Sequence, residues 1–297
     1  MKKTLFFALA ALLFASCAKN EVVELNREAI SFGDAFVENA TRADYSSTDI
    51  REFKVYGTVN NVLIYDAANV TKGSAAYGAA WDCKDKNGNA ITQYWVDDAQ
   101  YKFAAVVDAD KVNVDANGLP TSLDYTAAGQ KDMLYNYVER KNDKSIVSFT
   151  FTHLLAKAFF TVNSSVADTN YTYSISDVKV TNAFANGVYS VSGETGTWTG
   201  SNAGEVDFAN IESVDYTDAK TNAEVLLIPG ASVGVSFTVT LSINNKEVTS
   251  YKYTKDNVAT LVANNVYNFN ISFGELNQIQ FTVAKQPEWA STTTENL

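Results

Sequence analysis

The segment from Val235 to Ile243 alternates strictly between apolar and hydroxyl side chains. Every intervening position is Ser or Thr, and the apolar positions are Val235, Phe237, Val239, Leu241 and Ile243. A period of two places the apolar side chains on one face of a β-strand and the hydroxyls on the other. A strand with one buried face and one wet face is typical of an antiparallel β-sandwich.

Several other segments repeat this alternation. The apolar positions in phase are Val147, Phe149, Phe151, His153 and Leu155; Tyr267, Phe269, Ile271 and Phe273; and Ile279, Phe281 and Val283. Between Tyr171 and Val180 the apolar phase changes after Ile175, which predicts a β-bulge near Asp177. These segments together predict an all-β fold.

The first half of the chain contains shorter apolar runs separated by turn signals. Asn87-Gly88 and Asn117-Gly118 favour the positive φ angles of tight hairpins. One short helix is expected near Thr126 to Tyr137. The charged stretch Glu139–Ser145 is the best candidate for a domain boundary. We therefore expect two antiparallel β-sandwich domains in tandem, spanning residues 43–144 and 145–297.

The first sixteen residues have the layout of a secretory signal peptide. Two lysines at the start precede an apolar run, and the small residues Ala15 and Ser16 stand directly before Cys17. This context predicts lipidation of Cys17, and several acyl chains on one cysteine anchor a protein stably. Residues 1–16 are therefore expected to be removed, and residues 17–42 to begin an outer membrane lipoprotein at the cell surface.

Charge and cysteine usage narrow the function classes further. The formal net charge of −11 becomes −13 once Lys2 and Lys3 are removed, and such an acidic chain repels nucleic acid. With Cys17 used for lipid, Cys83 is the remaining thiol, so no intrachain disulfide is expected. Cys83 has no histidine nearby in sequence, which favours a buried, inert thiol.

One segment matches a catalytic motif. Residues 230–234 read Gly-Ala-Ser-Val-Gly, the pattern of a nucleophile elbow with Ser232 as nucleophile. The elbow requires a helix after the serine, whereas the residues from Val235 alternate as a strand. His153 lies upstream of Ser232 and in phase with Phe149, which favours a core histidine with backbone or hydroxyl partners. We expect no catalytic residues.

The remaining polar and aromatic candidates favour structural interpretations. The segment Asp85–Asn89 begins like a calcium loop but lacks its glycine and its final glutamate, so we expect a hairpin turn and no metal site. Asp97 and Asp98 are adjacent and would point to opposite faces of a strand, which predicts a solvated loop. Core packing is expected for the four tryptophans, of which Trp81, Trp95 and Trp289 are widely scattered in the sequence.

Short pieces along nearly the whole chain resemble the fimbrillin family, the lipoprotein pilins of type V pili. The pieces follow the lipoprotein leader in the family's order. They are the strand and Thr-Arg-Ala segment at 30–43, KDMLYN at 131–136, FTFTHLLAKAFFTV at 149–162, VLLIPG at 225–230, NNVYNFNISF at 264–273 and the final IQFTVAKQPEW.

The resemblance implies tandem transthyretin-like sandwiches and assembly by strand exchange. It implies proteolytic maturation after Arg42, so that the mature chain begins at Ala43. Loss of a first strand containing Ile30, Phe32 and Phe36 would open an apolar groove, which a strand from another subunit can fill. The donor expected is segment 278–289, whose in-phase residues include Ile279, Phe281, Val283 and Trp289.

Three hypotheses follow from the sequence. The first is a structural fimbrial subunit with other pilin subunits as partners, contributing to adhesion, and with no cofactor. The second is a surface lipoprotein that binds glycan or host protein through exposed aromatics, or a pilus anchor or tip subunit. The third, an enzyme using Ser232, has little support because the segment after the serine is a strand.

Overall fold

The computed structural model describes residues 28–37, 50–141, 144–168, 170–215, 219–274 and 278–287. The all-β prediction is confirmed, because the regular elements in these residues are strands apart from one 3-10 turn at Ala127–Gly129. Of the short helix expected near Thr126 to Tyr137, only this 3-10 turn is present. Gln130 adopts a left-handed φ of 45° and ends the turn, and a strand begins at Leu134. Within this part of the chain, no helix has the length and apolarity needed to cross a bilayer.

Sheet 1 gathers most strands from the first half of the chain. Its strands are β1 (Phe32–Val37), β2 (Glu52–Val59), β3 (Val62–Thr71), β4 (Asp82–Lys84), β5 (Gln100–Val107), β8 (Leu134–Lys141) and β9 (Val147–His153). Their order across the sheet is β1-β9-β8-β5-β2-β3-β4. The strand closest to the N-terminus therefore lies at one edge of sheet 1, beside a strand more than a hundred residues further along.

Sheets 2 and 3 contain the remaining strands. Sheet 2 comprises β10 (Ala156–Ser164), β14 (Lys220–Thr221), β15 (Val225–Leu227), β18 (Asn265–Phe273) and β19 (Ile279–Pro287), in the order β14-β10-β18-β19 with β15 also paired to β10. Sheet 3 comprises β6 (Lys111–Val114), β7 (Pro120–Thr126), β11 (Tyr171–Ser192), β12 (Thr195–Asp207), β13 (Ile211–Val214), β16 (Ser232–Ile243) and β17 (Lys246–Thr260). Its main order is β17-β16-β11-β7-β6, and β12 and β13 also pair with β11.

Most strand pairs are antiparallel, as the alternation predicts. Two pairs, β1 with β9 and β10 with β18, are parallel instead. Parallel neighbours require long connections, and in both cases more than ninety residues separate the paired strands. The bulge predicted near Asp177 is confirmed: the pairing of β11 with β16 shifts between Ser176 and Lys179, and Asp177 has a φ of 51°.

The apolar side chains form three buried clusters. The first core lies on one face of sheet 1, the second core lies between sheets 2 and 3, and the middle core joins the other face of sheet 1 to sheet 3. Strand β5 contributes Phe103 and Ala105 to the first core and Ala104 and Val106 to the middle core. Burial of sheet 1 on both faces explains the continuous apolar run in β5.

The division expected between residues 144 and 145 does not coincide with the division between these cores. Strand β9 lies after the expected division, yet it pairs with β8 and buries Val147, Phe149 and Phe151 in the first core. The hairpin of β6 and β7 lies before the expected division, yet β7 pairs with β11 of sheet 3. The start of the charged stretch, Glu139–Lys141, belongs to β8 itself.

Candidate functional site

Strand β1 forms part of the first core rather than lying loosely on the surface. Phe32 is fully buried, and its ring centroid lies 5.1 Å from that of Tyr65, 5.5 Å from that of Phe103 and 6.1 Å from that of Phe149. Aromatic pairs at these separations each contribute about 0.5–1.5 kcal/mol beyond their area burial. Removal of β1 would therefore leave a deep apolar vacancy among aromatic residues.

The backbone of this segment is hydrogen-bonded on both sides. On one side the amide of Val147 donates to the carbonyl of Ser31 at 2.9 Å, and β9 continues the pairing. On the other side the amide of Trp81 donates to the carbonyl of Phe32 at 2.8 Å. Further upstream, Ile30 and Glu28 exchange similar bonds with residues 93–95. The segment consequently lies in a slot between β9 and the residues that precede and follow β4.

Asp34 interrupts the apolar pattern of β1 for a structural reason. Its carboxylate oxygen Oδ2 accepts a hydrogen bond from the amide of Gly78 at 2.8 Å. Gly78 has a φ of 75°, a conformation that glycine adopts without steric cost. Asp34 therefore joins β1 to the loop that covers its outer edge.

The expected placement of Ile30, Phe32 and Phe36 on one face is wrong at its last position. The pairing of β1 with β9 shifts register between Phe32 and Ala35. As a result Val37 is buried at 6% exposure, whereas Phe36 is only partly buried. A register shift exchanges the two faces of a strand beyond it, which moves the apolar phase by one residue.

The candidate donor strand lies at the edge of sheet 2. Strand β19 pairs antiparallel with β18 over Ile279–Pro287, and Ile279, Phe281 and Val283 are partly buried against the second core. Within the described residues, β18 is the only strand paired with β19. One backbone edge of the segment is therefore not used by the described part of the chain.

Phe281 is the main contact of β19 with its own fold. Its ring lies 6.2 Å from that of Phe269 and 5.8 Å from that of Tyr253, and the Lys255 ammonium lies 5.8 Å from its centroid. Tyr253 in turn stacks on Phe237 at 4.7 Å. This aromatic group bridges the edge strands of sheets 2 and 3, so that β19 is held by side chains as well as by β18.

Other predicted site residues lie outside the described residues. These are Cys17, expected to carry lipid, Arg42 and Ala43, expected to flank the maturation cut, and Trp289 at the end of the candidate donor segment. Arg42 follows the last residue of β1 by five positions in the sequence. Their roles stay predictions.

Ser232 lies at the start of a strand, which begins three residues before the alternation that predicted it. It opens β16, and its hydroxyl donates a hydrogen bond to the side-chain oxygen of Asn257 at 3.2 Å. His153 is buried at 3% exposure, which confirms its expected position in the core. The expectation that its ring nitrogens bond backbone or hydroxyl groups is wrong for Nδ1. This atom lies 3.0 Å from the carboxylate of Asp132. The described geometry gives the motif no helix after the serine.

The other polar candidates have structural roles. Asp85 Oδ1 accepts hydrogen bonds from the amides of Asn87 and Asn89 at 2.8 and 2.9 Å, which confirms the hairpin turn. Within the described residues, no group of three acidic, histidine or cysteine side chains is arranged to hold a metal ion. Burial raises the pKa of Cys83 to about 11. This agrees with an inert thiol.

Trp81 and Trp95 are both 5% exposed and belong to the first core, which confirms core packing for these two. The sequence analysis missed their position over β1, where the backbone amide of Trp81 closes the slot. The signal was the acidic Asp34 within an apolar strand, together with the small-residue segment Gly73–Ala80. A carboxylate in such a strand indicates a hydrogen-bond donor from a covering loop.

Comparison with known proteins places this architecture in a family. A family model described as fimbrillin-like matches residues 41–286. Among curated proteins, no sequence matches this chain. The chain therefore belongs to the fimbrillin-like family, as the resemblance implied.

Two solved structures share the fold at low sequence identity, and a third is similar at a lower TM-score. A putative cell adhesion protein from Bacteroides uniformis is 18% identical, with 88% of this chain and 98% of that chain covered and a TM-score of 0.56. A putative cell adhesion protein from Bacteroides ovatus is 15% identical, with 87% and 95% covered and a TM-score of 0.52. The fimbrial anchor protein Mfa2 from Porphyromonas gingivalis is 10% identical, with 88% and 98% covered and a TM-score of 0.39.

Proposed function

We propose that this chain is a fimbrial subunit that assembles on the cell surface by donor-strand exchange. Cleavage after Arg42 separates β1 from the rest of the chain, and β1 then leaves its slot in sheet 1. A strand from a neighbouring pilin subunit enters the slot, while segment 278–289 of this chain serves as donor to the next subunit. Such head-to-tail contacts do not close into rings and so build filaments.

The observation that carries this proposal is the position of β1. Segment 28–37, which contains β1, has backbone hydrogen bonds on both sides, buries Phe32 among aromatic rings, and ends five residues before Arg42. A single cut at that place would remove one complete strand and leave the other strands of sheet 1 in the chain. Unpaired backbone groups and exposed aromatic rings would then favour capture of another strand.

The position of β19 supports the donor role. It is a terminal strand at a sheet edge, held on one side by β18 and through Phe281 by the aromatic group. A strand at an edge can leave a sheet without breaking any pairing beyond its own, and Ile279, Phe281 and Val283 provide the alternating anchors that strand addition requires.

Lipid on Cys17 would hold the precursor at the outer membrane before maturation. The proposed partners are other pilin subunits of the same or a different kind, together with a host or bacterial surface contacted by the fibre. No catalytic role is included, because Ser232 opens a strand and bonds Asn257.

The proposal is tested on protein taken from cell surfaces. Intact mass and N-terminal sequencing identify the first residue, and gel electrophoresis without heating detects polymers. We expect an N-terminus at Ala43 and a ladder that heating converts to a single band. The variant Arg42→Ala is expected to keep residues 28–37 and to give no ladder.

Arg27→Ala is the matched control, because Arg27 precedes β1 and a cut there would leave the strand attached. This variant should form the same ladder as the natural chain. A ladder that persists in Arg42→Ala, with β1 retained, would overturn the proposal. A lipidated Cys17 on a single monomer band would indicate a pilus anchor subunit or a surface-anchored binding protein instead.

A further inference from the structure

The slot occupied by β1 leaves no room for a side chain at Gly33. A Cβ atom at this position would lie 2.7 Å from Cγ2 of Ile146 and 3.0 Å from the carbonyl oxygen of Ala79. The first atom belongs to the branched, stiff part of an isoleucine, and the second is backbone, so neither moves away easily. The strand is thus confined between residue 146 on one side and residue 79 on the other.

Backbone hydrogen bonds fix both walls at this place. Val147 N donates to Ser31 O on the Ile146 side, and Trp81 N donates to Phe32 O on the Ala79 side. A wall that moved outward to admit a side chain at position 33 would lengthen these bonds. Gly33 is itself buried, so the restriction lies inside the slot and not at its mouth.

The neighbours of Gly33 define what else the slot recognises. Phe32, directly before it, fills the aromatic cavity formed by Tyr65, Phe103 and Phe149. Asp34, directly after it, accepts the amide of Gly78. The slot therefore accepts an aromatic ring at the first of three consecutive positions, no side chain at the second, and a short side chain with a hydrogen-bond acceptor at the third.

The C-terminal segment of this same chain lacks that pattern. No glycine occurs after Gly274 in the sequence. Its anchors Ile279, Phe281 and Val283 alternate without interruption, whereas in β1 the next buried apolar side chain after Phe32 is that of Val37, beyond the register shift. Segment 278–289 therefore differs from β1 in two independent ways: its apolar anchors are spaced differently, and it has no glycine.

We infer that the slot of β1 selects a strand with an aromatic, glycine and acidic residue in succession, and that this strand comes from a different kind of subunit. A second copy of this chain does not fill it in the register of β1. This inference rests on the proposed function and identifies the partner. The subunit that donates a strand to this slot is a pilin of different sequence. Ile146 and Ala79 determine this specificity, because they leave no room for a side chain at the position that Gly33 occupies.

The experiment uses the processed protein isolated from cell surfaces, dissociated and refolded with fluorescent peptides. The probes are the segment 28–37, the same peptide with Gly33→Val, the same peptide with Ser31→Val, and the segment 278–289. Ser31→Val is the matched control, because it adds the same branched side chain at a half-exposed position. Fluorescence anisotropy measures each dissociation constant.

We expect the natural 28–37 peptide and its Ser31→Val form to bind alike, and Gly33→Val and 278–289 to bind at least about tenfold more weakly. Equal binding of Gly33→Val or of 278–289 would overturn the specificity while leaving strand exchange intact. Failure of the natural 28–37 peptide to bind would mean that the slot does not reopen, and would overturn the proposed function along with this inference.

Discussion

The side-chain amide of Gln130 forms hydrogen bonds with both backbone polar groups of Leu226. The amide of Leu226 donates to Oε1 of Gln130 at 2.7 Å, and Nε2 of Gln130 donates to the carbonyl of Leu226 at 3.0 Å. Nε2 also donates to the carbonyl of Ala127 at 2.8 Å. One side chain thereby imitates a strand neighbour for β15 and joins the first half of the chain to the second.

Replacement Gln130→Glu is expected to lower the free energy of unfolding by about 1–3 kcal/mol. The carboxylate keeps the acceptor but loses both Nε2 donors and faces two carbonyl oxygens instead. Urea unfolding followed by circular dichroism measures the change. Gln100→Glu makes the same substitution at an exposed position and should change the stability by less than about 0.5 kcal/mol. Equal effects of the two variants would refute a specific role for Gln130.

Replacement Phe281→Ala is expected to destabilise the chain by about 1–2 kcal/mol, because the partly buried ring loses its contacts with Phe269 and Tyr253. Thr282→Ala, at the adjacent exposed position of β19, serves as control. Hydrogen exchange of the β18 amides should rise in the first variant and stay unchanged in the second. No difference between them would mean that β19 is not held by this ring.

Alkaline pH is expected to destabilise the fold through buried tyrosines. Burial, with a smaller contribution from Asp66, raises the pKa of Tyr56 to about 12, and burial likewise raises the pKa of Tyr65, Tyr125 and Tyr135. The folded-state pKa exceeds the unfolded value of about 10, so the unfolded chain loses these protons first as pH rises. Stability is therefore intact below pH of about 10 and falls above it.

Urea midpoints between pH about 8 and 12 measure this decline. Tyr56→Phe removes one of the contributing groups, so its midpoint should fall less steeply than that of the natural chain. A midpoint that stays constant up to pH of about 11 would contradict the prediction.

Cys83 is expected to react slowly with alkylating reagents. Burial raises its pKa from 9.0 to about 11, so at pH of about 8 the folded chain contains roughly a hundredfold less thiolate than the unfolded chain. Rates of iodoacetamide labelling, followed by mass spectrometry with and without denaturant, give the ratio. Similar rates in the two states would show that the thiol is accessible and ionised in the fold.

The sequence predicted which segments form strands better than it predicted their neighbours. Strict alternation identified β9, β16, β18 and β19, because burial of one face imposes a period of two. Alternation does not specify the adjacent strand, and so it gave no sign that β9 belongs beside β1 or that β7 pairs with β11. Those choices depend on packing between cores that are distant in sequence.

The candidate site was predictable in outline only. The apolar residues Ile30 and Phe32 correctly marked a buried strand, but the register shift that buries Val37 depends on pairing with β9. The tight fit at Gly33 depends on Ile146 and Ala79, which approach it only in the folded chain. No local pattern contains that information.

Strand β11 gives the molecule a mechanical property. It extends from Tyr171 to Ser192 with register shifts near Asp177 and Asn182, pairs with β16 along its first part, and pairs with β7 over Asn186–Ser190. A force that pulls the two halves of the chain apart along β11 would act on many of its interstrand hydrogen bonds at the same time. A fibre made of such subunits would resist stretching at the junction where bead-like domains joined by a flexible linker would extend first.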